Sequence, residues 1–188
     1  TTIDVGTNVI VTDSAGNVGI GNASPAKPLD VTGDIRTSTG ILFGTDTAAA
    51  NALDDYETGS WNPTLASSGG TDSGRTYSST PVGTYVKVGK LVTLTFDIRC
   101  NAAGTLGTGE AVIKGLPFTP DQFSSGSFGR ATTFAGAKNA VSLSVETGKT
   151  YVYFMQSGSY STSVLSYIAP SGWGTAVVWG TITYTTAS

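Results

Sequence analysis

The stretch from Gly83 to Arg99 reads GTYVKVGKLVTLTFDIR. Val92, Leu94, Phe96 and Ile98 alternate with Leu91, Thr93, Thr95 and Asp97, so the apolar period is two, and the four share one face only in an extended chain. Tyr85 to Val88 leads into this run through Gly89-Lys90, a pair suited to a tight turn, which predicts a hairpin with one half-buried face. Two strands alone are marginal in water, so others must cover that face. The candidates all lie within residues 59–188.

Trp61 to Ala66, Ala111 to Lys114, Ala131 to Ala137, Ala140 to Glu146, Thr150 to Gln156, Thr162 to Ile168 and Thr175 to Thr185 read as strands. Val141, Leu143 and Val145 alternate with Ser142, Ser144 and Glu146, repeating the half-buried pattern. Residues 67–80 (SSGGTDSGRTYSST) and Asp121 to Gly129 read as polar loops. About eight strands at spacings of 8 to 12 residues predict an antiparallel, jelly-roll-like β-sandwich over residues 59–188.

The upstream part is thinner. Residues 1–46 hold short apolar pairs (Ile3 and Val5, Val9 and Val11, Val18 and Ile20, Leu29 and Val31, Ile41 to Phe43) separated by turn-forming residues. Ordering costs about 1 to 2 kcal/mol per residue, and such pairs bury too little area within one chain to offset it. Several copies wound about one axis would share a core, which predicts an intertwined trimeric β-shaft. Between shaft and sandwich, residues 47–58 contain Ala48 to Ala50 and Leu53, which predict a short helical neck; the carboxylates Asp54, Asp55 and Glu57 disfavour its continuation.

With 39% hydrophobic residues, a core within residues 59–188 is affordable. Charged residues make up only 12%, against about a quarter in ordinary domains, and the net charge is -3 with the 10 basic residues scattered. Neither nucleic acid nor an anionic membrane surface is an expected partner. No apolar run is long enough to span a bilayer, so no membrane insertion is expected. The chain does not open with Met, which leads to the expectation of a fragment or processed product.

Gly16-Asn-Val-Gly-Ile-Gly-Asn-Ala-Ser-Pro, followed by Pro28-Leu-Asp-Val-Thr-Gly-Asp-Ile-Arg36, resembles a segment of tailed-bacteriophage tail fibres and spikes. Asn51 to Leu65 and Gly83 to Val92 resemble the junction and opening hairpin of their C-terminal tip domains; together these stretches cover about half the chain. The resemblance implies a homotrimer on the virion, joined to the remainder of the phage tail, whose distal domain attaches to a host surface glycan or protein without a cofactor. Such shafts often precede an autoproteolytic chaperone, expected here to be removed or lacking. Two other classes stay open: a tailspike endoglycosidase with intersubunit carboxylates, and a purely structural fibre or capsid decoration.

The sequence contains no histidine and one cysteine, Cys100, which removes His-dependent triads, Cys-His dyads and most zinc sites. Cys100 reads as a small strand residue. Ser24-Pro25-Ala26-Lys27 has the Ser-x-x-Lys spacing of acyl-enzymes, but the prolines on either side of Lys27 oppose the helix that chemistry needs. Gly19-Ile-Gly21 lacks the following helix of a phosphate cradle and reads as a turn. Asp54, Asp55 and Glu57 would serve a glycosidase or a divalent metal only if carboxylates of neighbouring chains met; otherwise they are a solvated helix end. No catalytic residue and no metal ligand is assigned.

The aromatics carry the binding expectation. Trp173 in Pro-Ser-Gly-Trp-Gly-Thr and Tyr160 after Ser-Gly-Ser read as loop residues whose rings could cover sugar C–H groups while polar neighbours bond hydroxyls. Tyr77 and Phe128 occupy the two polar loops and complete the candidate receptor- or glycan-binding set. Against this, Trp173 could pack over a sandwich end or a subunit interface. Tyr151, Tyr153, Phe154, Trp179 and Tyr184 fall within strands and read as core or interface.

Overall fold

The computed structural model describes residues 2–5, 8–45, 47–48, 52–53, 55–102, 104–105, 107–134, 140–157, 165–167 and 173–187. The chain divides into two compact units, Thr1–Ala52 and Leu53–Ser188. In the first, β1 (Thr2–Val5), β2 (Asn8–Thr12), β3 (Val18–Ile20) and β4 (Leu29–Val31) form one sheet in that order. The β2–β3 turn is organised by Asp13, whose Oδ1 accepts the backbone N–H groups of Ala15 and Asn17, each at 2.9 Å, while Gly16 takes a φ of 83°. From Ile10 onward, Gly19 and Pro25 are the buried residues among those of this unit whose burial is described, and Leu29, Ile35 and Phe43 are 56%, 60% and 65% exposed. β1 to β4 carry the first four expected apolar pairs, while Ile41 to Phe43 form no strand.

No described residue is helical. The centre of the expected neck, 49–51, lies outside the described residues, and its end is a correction: Tyr56, Glu57 and Thr58 open a strand. They pair antiparallel with Val88, Lys87 and Val86, a ladder that gives each residue backbone partners a fraying helix end would lack.

The second unit contains β5 (Tyr56–Trp61), β6 (Thr64–Gly69), β7 (Thr76–Tyr77), β8 (Val82–Val88), β9 (Leu91–Ala102), β10 (Thr108–Lys114), β11 (Ser124–Phe134), β12 (Ala140–Val145), β13 (Tyr151–Ser157), β14 (Leu165–Tyr167) and β15 (Trp173–Thr185). They form a single 11-stranded antiparallel sheet in the order β5-β8-β9-β15-β11-β12-β13-β10-β6, with β7 added to β9 and β14 to β13. The first and last strands of that order, β5 and β6, are joined by only Asn62 and Pro63. Three residue steps span at most about 11 Å, so the sheet must curl until its two arms face each other at roughly the 10 Å of packed sheets. The expected sandwich therefore takes the form of one curled sheet.

Inside the curl lie Trp61, Leu65, Val92, Leu94, Phe96, Ile98, Ile113, Leu143, Val145, Val152, Phe154, Val178, Ile182 and Tyr184. The alternation of β9 is realised in full, with Cys100 as its last inward residue. Val88 pairs with Leu91 across Gly89-Lys90, and Gly89 has the positive φ of 55° that the tight turn demands.

Two expected loops are strands in part. Ser67 to Gly69 end β6, Tyr77 lies in β7, and Ser124 to Gly129 begin β11. The Ser-Gly composition of β11 reflects close approach: a Cβ on Gly126 would stand 2.5 Å from the Thr181 carbonyl oxygen and 2.8 Å from the Ile182 Cβ. Glycine lets β11 lie against β15 there, at the cost of any apolar signature.

Candidate functional site

Of the four aromatics expected to bind, two are described with their side chains, and both pack against the core. Tyr160 lies outside the described residues. Trp173 is the first residue of β15, its backbone paired with Phe134, so it stands in a strand and not in a loop. Phe128 is half-buried against the core, its ring stacked on Phe154 with centroids 5.6 Å apart; a face covered in that way is not offered to a sugar. Tyr77 is also half-buried against the core, and burial pushes its hydroxyl pKa up. Both rings pack against the core, a role that their polar neighbours in the sequence concealed.

The carboxylates of the expected neck are engaged as well. Asp55 contacts the ammonium of Lys87, and Glu57 receives the Tyr85 hydroxyl, whose pKa this bond raises first and burial second. Asp54 lies outside the described residues. Among the described residues no group of His, Cys, Asp or Glu is placed to hold a metal ion, and no helix is long and apolar enough to cross a membrane.

A second polar cluster is internal scaffolding. The Asp72 carboxylate accepts the Ser67 N–H, the Ser67 hydroxyl and the Gly107 N–H at 2.9 to 3.2 Å. Desolvation pulls its pKa up, but the bonds from Gly107 and Ser67 prevail and hold it below the ordinary value. Its lone pairs are spent tying the β6 end to the segment before β10.

The outer face of β5, β8, β9, β15 and β11 is different, because nothing in the chain's described part covers it. Strand register aligns Ser60, Thr84, Thr95, Thr181 and Ser127 in one line across all five strands. At about 4.8 Å per strand this hydroxyl row is roughly 19 Å long. The Thr84 and Thr95 hydroxyls are 2.7 Å apart, and Thr181 donates to the Leu94 carbonyl at 2.8 Å. An open depression of about 370 Å³ lies at the β11 end, lined by Ser125, Gly126, Ser127, Thr181, Ile182 and Thr183.

One pleat further along, the row reads Val82, Asp97, Trp179, Arg130. The Arg130 guanidinium sits over the Trp179 ring at 5.3 Å, within cation–π range. Arg99 grips Asp97 through three bonds of 2.9 to 3.2 Å, which raises its own pKa. Gly129 makes room for the indole: a Cβ there would stand 2.5 Å from Trp179 Cδ1 and Nε1. Sequence reading assigned Trp179 to core or interface. The signal that finds it is phase, since Val178, Gly180, Ile182 and Tyr184 share the inward parity and Trp179 does not. In comparisons with known proteins, no family model, no curated protein and no solved structure matches this chain.

Proposed function

We propose that the chain is the distal part of a trimeric bacteriophage tail fibre, which attaches the virion to its host by non-covalent binding of a surface glycan. The observation that carries the reading is the uncovered outer face, where Trp179 lies under Arg130 one pleat from a line of Ser and Thr hydroxyls. An indole suits the C–H face of a sugar, and hydroxyl and guanidinium groups beside it suit sugar oxygens. The groups stand on paired strands, so little conformational freedom is lost on binding.

In this reading residues 1–46 are the shaft, and the two arms of the curled sheet are the layers of a jelly-roll-like tip at 59–188. The trimer is supported by the first unit, whose Leu29, Ile35 and Phe43 stay exposed in one chain and would be covered by two further copies. Three equivalent tips would add avidity to weak single contacts.

The test is binding of the labelled full chain to an array of bacterial surface polysaccharides, with native mass measured by light scattering. Expected are retention by a subset of glycans, a native mass of three times 19.1 kDa, and a loss of about tenfold or more in affinity for Trp179→Ala and Arg130→Ala with the trimer intact. Unchanged binding by both variants would overturn the assignment of the face, and a folded monomer would overturn the fibre.

A further inference from the structure

Among the residues of the C-terminal unit whose burial is described, Lys87 is the one buried charged residue, at 4% exposure. It projects inward from β8, on the same face as Gly83 and Tyr85, while Val82, Val86 and Val88 take the outer face. Its ammonium lies 5.6 Å from the Phe118 ring centroid, and Phe118 is in turn edge-on to Tyr85 at 5.2 Å. Two acidic residues face it from β5 and its N-terminal extension. Glu57 is the residue directly opposite Lys87 in the ladder, and Asp55, two residues earlier on the same face, is in direct contact with Nζ. Asp55 is held in place by its own backbone, which accepts the Gly89 N–H at 2.6 Å.

A plain ion pair is a poor use of this position, because the buried ammonium loses its hydration for one contact with a half-exposed carboxylate. The arrangement is instead that of an amine nucleophile, a carboxyl electrophile and a second carboxyl, with the amine lying beside the Phe118 ring. We propose that Lys87 and Asp55 condense into an intramolecular isopeptide bond, with Glu57 as the proton carrier. Glu57 first takes a proton from the ammonium, which frees the Nζ lone pair; Nζ then attacks the Asp55 Cγ and the new C–N bond forms. The C–O bond to one carboxylate oxygen then breaks, and that oxygen leaves as water with two of the three ammonium protons. Glu57 passes the proton it took to the departing oxygen, and the second comes from Nζ as the amide forms. The ion pair of zero net charge becomes a neutral amide and one water, so no oxidant, reductant or activating group is required. Fixed contact supplies the drive: groups held in reacting geometry behave as though at about 10⁵ M or more. Asp55 is the open end of the pair, 40% exposed against 5% for Lys87, which gives the water its exit.

The bond would have a mechanical use. β5 is an edge strand of the sheet, paired only with β8, and it is the first strand of the C-terminal unit. Tension transmitted along the chain from the N-terminal unit reaches β5 first and would peel it residue by residue. A covalent link from Asp55 to Lys87 passes that load to β8 before any ladder bond is strained.

The experiment is the intact mass of the full chain, denatured after incubation at neutral pH, followed by digestion and fragment sequencing. The expected result is a mass one water below that of the sequence and a branched fragment joining the Asp55 and Lys87 peptides. Lys87→Arg and Asp55→Ala are expected to show the full mass of their sequences. Glu57→Gln is expected to accumulate the link at least about 100-fold more slowly. A folded wild-type chain that keeps its full mass overturns the proposal, and so does a loss of water that persists in Lys87→Arg, since that marks a succinimide elsewhere. A link formed at the wild-type rate in Glu57→Gln overturns the role of Glu57.

Discussion

Leu91 and Leu94 lie three residues apart on β9 and are the same residue type, yet the fold assigns them opposite fates: Leu94 is 0% exposed and Leu91 50%. Replacing Leu94 by Ala removes three carbons from the core, worth about 2.4 kcal/mol at about 0.8 per methylene. The cavity left between β9 and the opposite arm adds to this, and buried Leu→Ala changes cost about 2.7 to 5.0 kcal/mol in all. We expect about 3 to 4 kcal/mol for Leu94→Ala. Leu91→Ala loses about half the transfer value and opens no cavity, so about 1 kcal/mol is expected. At about 3 °C per kcal/mol for a unit of this size, the melting points fall by about 10 °C and about 3 °C. Urea unfolding followed by tryptophan fluorescence reads the C-terminal unit specifically, because Trp61, Trp173 and Trp179 all lie in it. Equal costs, or a larger cost for Leu91→Ala, would refute the assignment of the inner face as the core.

Asp72→Ala leaves the Ser67 and Gly107 donors without their acceptor and should cost about 1 to 3 kcal/mol. Because the Asp72 pKa lies below the usual 3.8 in the folded chain, its stabilisation is present above that value and is lost as pH falls through the lowered one. Wild-type urea midpoints should therefore decline more steeply than those of Asp72→Ala below about pH 4. Burial pushes the Tyr184 hydroxyl, which donates to the Phe118 carbonyl at 2.9 Å, well above the usual 10.0. The unfolded chain loses that proton first, so stability holds up to about pH 10 and falls beyond it. Tyr184→Phe should flatten the alkaline decline and cost about 1 kcal/mol at neutral pH. Phe128→Ala should lower stability by about 2 to 3 kcal/mol through its lost contact with Phe154, while glycan binding by the folded protein stays unchanged. Weakened binding at full stability would restore Phe128 to the site.

The inner face of β9, the turn at Gly89-Lys90 and the strand carrying Leu143 and Val145 were legible because their signals are local: a period of two, a glycine at a positive φ, a polar break. The short strands before residue 46 were legible on the same grounds. The start of β11 was not, because its Ser and Gly residues are strand-forming only where β15, more than 50 residues later in the chain, comes close enough to exclude side chains. Phe128 and Tyr77 were misplaced for that reason, being read from polar neighbours and not from the rings they meet. Trp179 is readable by phase, but its place within a strand alone points to core or interface.

The sequence by itself determined which segments extend, where the chain turns and which parity of β9 is apolar, since each depends on residues within a few positions of one another. Only the tertiary structure decided that Lys87 turns inward while Val86 and Val88 face out. Their alternation alone points the other way, and the inversion is stabilised by a carboxylate 32 residues earlier and a ring 31 residues later. Only it decided, too, that Ser60, Thr84, Thr95, Thr181 and Ser127 form one line: five strands far apart in the chain must pair in register before their hydroxyls share a face.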